Sequence, residues 1–307
     1  MLQVLDMLPA LVEAEAEALV AQGEWVGAAA LLAPGTVSVH SARRSFLLGV
    51  TLSALDDDIG AADSLVRAAA AGEPRAACLL ASFSACRLLS LAAMPAQLPP
   101  GASLKHWSVQ LAAALPAEQR RAALSWFEAQ SKTGHSWGKV AYAAVMLWDG
   151  RGIGSSGEAQ ANAEHLLSAA ADRGDKRAQF ALAELPREGS DGSMQQREES
   201  ALLYRFSAGQ GYAPAQHQLA LGYARGDTGS ADPAAAAKLW GMAAQQGHPG
   251  AMYHLAMALE EGRGLPRDAA GASRLYGGAA AAGHLGALVA LGTCLERGGP
   301  GDLAPDP

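Results

Sequence analysis

Residues 232–267 read DPAAAAKLWGMAAQQGHPGAMYHLAMALEEGRGLPR, and the chain then starts the same pattern again at residues 268–287 with DAAGASRLYGGAAAAGHLGA. The dipeptide Gly247-His248 recurs as Gly283-His284, thirty-six residues later. A fixed period of this length is typical of repeat proteins, in which one supersecondary unit stacks on the next. The 307 residues are therefore predicted to form a repeat array rather than two ordinary domains.

The same register extends through most of the chain. Its anchor glycines are Gly72, Gly134, Gly174, Gly211, Gly247 and Gly283. Four residues after each glycine comes a small residue, namely Ala76, Gly138, Ala178, Ala215, Ala251 and Ala287. Seven residues before each glycine comes a large apolar residue, namely Leu65, Phe127, Leu167, Tyr204, Trp240 and Tyr276. Six units that agree at these positions indicate a repeat that is regular in the C-terminal half and irregular in the N-terminal half.

Each unit is predicted to be a helical hairpin. Residues 250–261 place apolar side chains four apart along one face of a helix. Gly262 ends this helix in the left-handed conformation, and Asp268 is suited to cap the next helix, predicted over residues 269–282. Small residues where the helices cross let their backbones approach closely.

This pattern resembles the Sel-one-like repeat, a relative of the tetratricopeptide repeat. The likeness covers about residues 54–298 and is most specific over residues 196–298. The matching positions are Asp268, Ala272, Tyr276, Ala279-Ala280, Gly283, Ala287 and Leu291-Gly292. The resemblance implies an all-α fold, a right-handed α-solenoid of stacked antiparallel helix pairs, used as a scaffold for protein interactions.

The flanking regions and one insertion depart from the repeat. Residues 1–52 are predicted to be a helical capping segment, residues 53–298 the solenoid, and residues 299–307 a flexible tail. An insertion lies at about residues 94–116, with a proline-containing loop over 94–103 and an additional helix over 104–115. The insertion is interpreted as a surface feature, or alternatively as part of a binding face.

Composition and charge exclude several functions. The net charge of −7 does not favour nucleic acid or an anionic membrane as a partner. The three cysteines, Cys78, Cys86 and Cys294, show no disulfide spacing, and no apolar run approaches the length of a membrane span. The N-terminus does not resemble a secretory signal. A cytoplasmic protein is therefore expected, and the abundance of alanine, glycine and arginine suggests a bacterial source.

No catalytic, cofactor or metal site is predicted. His135, His248 and His284 share one repeat position, where they are expected to hydrogen-bond loop backbone rather than ligate a metal. The acidic run Asp56-Asp57-Asp58 is interpreted as an electrostatic helix start, with cation binding as the alternative.

Candidate partner-binding residues come from one stripe on the first helix of each hairpin. The stripe begins two residues after the small anchor, and its members are Phe180, His217, Leu221, Tyr253, Met257 and Val289. Aromatic and methionine side chains are enriched at the cores of protein interfaces. The alternative is that these side chains pack against the next repeat.

The function predicted from these observations is a non-catalytic scaffold that binds a partner protein or peptide in the groove of the solenoid. A regulatory or targeting module of an enzyme, with its catalytic domain beyond Pro307 or on another chain, is the alternative. A hydrolase resembling the cysteine-rich members of the repeat family is disfavoured, since those have paired cysteines in every repeat.

Overall fold

The computed structural model describes residues 2–33, 41–86, 88, 104–148, 156–185, 194–227 and 230–296. These described residues are helical, without a β-strand among them, so the predicted all-α fold class is confirmed. In chain order the helices are α1 (Leu2–Gln22), α2 (Trp25–Leu32), α3 (Ala42–Ala54), α4 (Asp58–Ala70), α5 (Pro74–Ala85), α6 (Leu104–Ala114), α7 (Ala117–Lys132), α8 (Ser136–Trp148), α9 (Ser156–Ala171), α10 (Lys176–Glu184), α11 (Met194–Gly209), α12 (Ala213–Arg225), α13 (Pro233–Gln245), α14 (Pro249–Glu261), α15 (Ala269–Ala281) and α16 (Leu285–Glu296).

The described residues divide into two compact units. Unit 1 contains those up to Ala178, and unit 2 contains those from Gln179 onward. In unit 2 each helix from α11 to α16 packs mainly against its neighbours along the chain. This nearest-neighbour packing is the arrangement expected of stacked helical repeats.

The anchor glycines connect one repeat to the next through a left-handed backbone conformation. All six have a positive φ, between 81° and 89°, a region that costs an L-residue with a side chain about 1–2 kcal/mol. A Cβ atom added to Gly283 would meet nothing within 4 Å. Glycine is therefore required at this position for its φ angle rather than for space.

The helix starts are capped by the residues that the repeat places there. Asp268 Oδ1 accepts a hydrogen bond from Gly271 N at 2.8 Å, as predicted for the start of α15. His248 Nδ1 accepts from Ala251 N and His284 Nδ1 accepts from Ala287 N, both at 3.1 Å. His248 and His284 therefore cap α14 and α16, which confirms a backbone hydrogen bond for these two histidines, although the bond is to the helix rather than to the loop.

The His284 cap makes the stability of unit 2 depend on pH. Burial lowers the pKa of His284 below its ordinary value of 6.5, so the unfolded chain takes up this proton more readily than the folded chain. The stabilisation from a neutral His284 is present above about pH 6.5 and is lost as the pH falls below it. We expect His284→Ala to cost about 1 kcal/mol of unfolding free energy at pH 8, and a smaller amount at pH 5.5.

The measurement is urea denaturation followed by circular dichroism at both pH values. His284→Asn is the control, since its amide oxygen can cap the helix but does not titrate. Wild type should lose more stability than His284→Asn on acidification. Parallel losses in the two proteins would show that the cap is not the titrating group.

Unit 1 accommodates the predicted insertion without losing its stacking. The inserted helix α6 packs against α5, while α5 still packs against α8 of the next repeat. Glu17 of α1 accepts a hydrogen bond from Trp126 Nε1 at 2.9 Å and pairs with Arg75 at 3.3 Å. These bonds connect the N-terminal helix to α5 and α7, a long-range connection that the repeat pattern does not contain.

The acidic run of unit 1 is engaged in structural contacts. Asp57 caps α4 by accepting from Gly60 N at 2.9 Å. Asp56 pairs with Lys176 at 2.9 Å, and Asp58 pairs with Arg177 at 2.7 Å. The interpretation of this run as a helix start is confirmed at Asp57. The ion pairs of Asp56 and Asp58 connect the start of α4 to α10.

Two segments predicted from the sequence lie outside the described residues. They are the loop over residues 94–103 and the tail over residues 299–307.

Candidate functional site

A cavity of about 300 Å³ lies in unit 2 among α12, α13 and α14. Gly226, with φ of 80°, ends α12, and Asp232 caps the start of α13 by accepting from Ala235 N at 2.9 Å. These local stops place the end of one helix beside the start of the next. The residues that line the cavity are Leu221, Ala224, Arg225, Pro233, Trp240, His254, Met257, Ala258 and Arg263.

Trp240 provides the largest aromatic surface of the cavity lining. Its side chain is 7 % exposed, and its ring stacks on the His254 ring with centroids 5.3 Å apart and planes 19° apart. The indole Nε1 is buried and donates to no acceptor among the described residues. A buried N–H group without an acceptor costs about 1–3 kcal/mol.

In each of the two flanking repeats, a glutamate accepts a hydrogen bond from the equivalent aromatic residue. Tyr204 Oη donates to Glu184 Oε1 at 2.6 Å, and Tyr276 Oη donates to Glu260 Oε2 at 2.9 Å. Burial and this glutamate raise the pKa of Tyr276, so its phenol remains a donor. In both repeats the aromatic residue of the second helix therefore donates to a carboxylate of the first helix.

At Trp240 neither glutamate position carries an acid. Glu184 lies six residues after its anchor alanine, and the equivalent residue of α12 is Leu221. Glu260 lies nine residues after its anchor, and the equivalent residue of α12 is Ala224. Both replacements are apolar, and both line the cavity. The cavity thus lies where this repeat lacks the internal carboxylate of its neighbours.

Two arginines give the cavity its positive charge. Arg225 and Arg263 are exposed. Arg263 pairs with Glu261, whereas no described acidic side chain pairs with Arg225. Burial lowers the pKa of His254, and the nearby His284 and Arg225 lower it further. His254 is therefore neutral at neutral pH, and the positive charge belongs to the two guanidinium groups.

Two of the six predicted contact residues meet at this cavity. Leu221 and Met257 both line it. His217 lies beside it, with its ring centroid 5.3 Å from that of His254. Met257 also packs against the apolar cluster around Tyr276. Leu221 packs against the apolar cluster that contains Trp240, so Leu221 and Met257 both contact the core as well as the cavity.

The other three lie elsewhere. Phe180 is 0 % exposed, and its ring contacts Tyr204 and Tyr212 with centroids 6.0 and 5.4 Å away. Tyr253 stacks on His284 with centroids 4.6 Å apart. Val289, on α16, is 68 % exposed. Phe180 therefore packs inside unit 2, which is the alternative considered for this stripe, and the six residues do not form one surface.

Four residues of the cavity were not predicted as site residues from the sequence: Trp240, Arg225, His254 and Arg263. A comparison of repeats contained a signal for Trp240: it replaces the tyrosine of its neighbours, and the glutamate positions facing it are Leu221 and Ala224. No sequence pattern pointed to the two arginines, since Arg225 lies at the end of α12 and Arg263 lies in the loop after α14.

Within the part of the chain that the structure describes, no three His, Cys, Asp or Glu side chains are grouped so that they could hold a metal ion. The same residues contain no helix that is long and apolar enough to cross a membrane.

Comparison with known proteins gives the class of this protein. No protein-family model matches the sequence, and no curated protein matches it. Among solved structures, a Sel1 repeat protein from Oxalobacter formigenes is similar with a TM-score of 0.52 and 20 % identity, covering 84 % of this chain and 90 % of that one. A protective antigen of uropathogenic Escherichia coli with an SLR fold aligns with a TM-score of 0.43 and 20 % identity, covering 84 % of this chain and 65 % of that one.

The nearest-neighbour packing and the first of these likenesses define a helical repeat protein of the α-solenoid class. Its repeat fold is that of the Sel1-like (Sel-one-like) repeat, as the sequence resemblance predicted.

Proposed function

We propose that this protein is an interaction scaffold, and that unit 2 binds a peptide segment of a partner protein at the cavity among α12, α13 and α14. The observation that supports this most directly is the cavity itself, which is about 300 Å³ in volume and within the size range of binding pockets. Its lining combines apolar side chains with a few polar groups, the usual composition of a binding site. Repeat proteins of this fold generally mediate interactions between proteins.

The proposed contact residues are Leu221, Met257, Trp240 and Arg225. Met257 is suited to this role because its unbranched side chain adapts to irregular partners. Trp240 supplies a large aromatic surface, and tryptophan and arginine are the residue types most enriched among energetically dominant interface positions. Tyr253 and Val289 remain candidates for a second contact region outside the cavity.

Filling the cavity should abolish peptide binding without unfolding unit 2. Ala224 is exposed on the cavity lining, so Ala224→Trp adds bulk to the cavity and little to the core. We expect Kd to rise at least about tenfold, since one displaced hot-spot contact is worth 1.4 kcal/mol or more. The measurement is fluorescence polarisation with peptides selected on the wild-type protein from a displayed random library.

Ala281→Trp is the matched control, because Ala281 is exposed on α15 and is not among the residues that line the cavity. It should bind the selected peptides as wild type does. Equal affinity in all three proteins would place the binding surface elsewhere, and a library that yields no binder would argue against a peptide scaffold.

We also propose a cytoplasmic location in a bacterium and partners other than nucleic acid or membranes. Cys78, Cys86 and Cys294 are thiols rather than disulfides, which fits a reducing compartment. The net charge of −7 supports protein partners over nucleic acid, and the composition rich in alanine, glycine and arginine supports the bacterial source.

A further inference from the structure

The cavity combines three features that bear on its ligand. It is lined by Trp240, whose buried indole N–H has no acceptor among the described residues, it is flanked by two arginines, and it occupies the place where the two flanking repeats have a glutamate. The first is a donor that lacks an acceptor, and the second is a positive charge that a ligand can neutralise. The third shows which acceptor the two flanking repeats use at the equivalent point.

We infer that the cavity binds a carboxylate group of a partner peptide, which replaces the glutamate that this repeat lacks and is held by Arg225, Arg263 and the indole N–H of Trp240. This inference rests on the proposed function and specifies the chemistry of the partner. Carboxylates form short, charge-assisted hydrogen bonds with guanidinium groups, often two in parallel.

The two arginines contribute differently. Arg225 has no described acidic partner, so a ligand carboxylate does not compete with the protein for it. Arg263 is paired with Glu261, so a ligand must share or displace that carboxylate. We therefore assign the larger part of the charge recognition to Arg225.

Trp240 Nε1 is covered in the unliganded cavity. A ligand oxygen reaches it only when a lining side chain moves, and the lining includes the unbranched side chain of Met257, which can move readily. Once bound, the ligand oxygen would satisfy a donor that is otherwise buried without a partner.

The chain itself offers a test that restores the missing glutamate. Leu221→Glu places a carboxylate at the position equivalent to Glu184, where it can pair with Trp240 and Arg225 from within the protein. Leu221→Gln is the matched control, because it has nearly the same size and the same loss of apolar packing but no charge. Leu221→Glu should exclude the ligand, whereas Leu221→Gln should retain at least part of the binding.

The probes are three nonapeptide arrays whose flanking positions are randomised among residues other than Asp and Glu. The first has a central Glu and an amidated C-terminus, the second a central Gln and an amidated C-terminus, and the third a central Gln and a free C-terminal carboxylate. We expect wild-type retention on the first or third array to exceed that on the second at least about tenfold, as expected for charge-assisted hydrogen bonds. The first array reports an acidic side chain, and the third reports a chain terminus.

Two further variants assign the contacts. Arg225→Gln should reduce the preferred retention to the level of the uncharged array. Trp240→Phe removes the N–H donor and leaves a smaller aromatic ring at the same position, so it should weaken retention severalfold. All variants are checked by circular dichroism, so that a loss of binding is distinguished from a loss of folding.

The outcomes separate this inference from the proposed function. Equal retention on all three arrays, with loss in Ala224→Trp, would overturn the carboxylate assignment and leave the peptide scaffold standing. No retention on any array would overturn both. Folded Leu221→Glu and Leu221→Gln proteins that bind equally well would also overturn the assignment.

Discussion

Replacing Phe180 with alanine is expected to lower the free energy of unfolding of unit 2 by about 3–5 kcal/mol, the usual range for a buried phenylalanine. The side chain is 0 % exposed, and its ring lies between those of Tyr204 on α11 and Tyr212 before α12. Removing it leaves a cavity that these two rings can only partly fill. The loss therefore includes both the transfer of apolar surface and the cost of the remaining void.

The measurement is urea denaturation by circular dichroism, combined with hydrogen exchange of peptides from unit 2. Hydrogen exchange is needed because a repeat array can open locally rather than as a whole. Val289→Ala is the control: Val289 occupies the same repeat position but is 68 % exposed, so its loss should stay within about 0.5 kcal/mol. A cost below 1 kcal/mol for Phe180→Ala would contradict the core assignment.

The second large effect is expected at Gly264, in the loop between α14 and α15. Gly264 has a φ of 78°, and an added Cβ would lie 2.3 Å from the carbonyl oxygen of Pro233. Gly264→Ala therefore combines a left-handed backbone, at about 1–2 kcal/mol, with a steric overlap typically worth about 1–3 kcal/mol. We expect a total loss of about 2–5 kcal/mol in the unfolding free energy of unit 2.

Gly283→Ala measures the conformational part of this loss alone, and the difference between the two variants gives the steric part. Gly283 has a φ of 85° and no atom within 4 Å of an added Cβ, so it should lose only the conformational part, about 1–2 kcal/mol. The two variants are compared by the same denaturation experiment. Equal losses would show that the loop yields to the added methyl group without strain.

Gly264→Ala should also weaken peptide binding where it remains folded. Gly264 follows Arg263 in the chain, and its added methyl group would overlap with Pro233. Arg263 and Pro233 both line the cavity. Relieving the overlap must move one side of the cavity relative to the other. Gly283→Ala should keep wild-type affinity, because Gly283 is not part of the lining.

The local structure of this protein was predictable because it depends on residues close in sequence. The positive φ of the anchor glycines, the Asp268 cap and the stop at Gly262 all follow from the chemistry of one residue and its nearest neighbours. The additional helix was also predicted, over residues 104–115, and α6 spans Leu104–Ala114. Helix positions in a regular repeat then follow from the period alone.

The cavity was not predictable in the same way. It depends on what faces Trp240 from another helix, and that information is spread over Leu221, Ala224 and the glutamates of the neighbouring repeats. A single repeat does not show the difference, since Trp240 fits the pattern of a large apolar residue. Only the hydrogen bonds of Tyr204 and Tyr276 show that the aromatic residue has a carboxylate partner in the two flanking repeats.

The repeat period is enough to predict a helical repeat, the bounds of the helices in the regular unit around residues 250–282, and the Asp268 cap between them. Which repeat positions are exposed depends on tertiary packing. Phe180 and Val289 occupy the same position in the register, yet one is fully buried and the other largely exposed. The difference arises because burial depends on the side chains of neighbouring helices: aromatic rings cover Phe180, whereas α16 is the last helix described and no described helix follows to cover Val289.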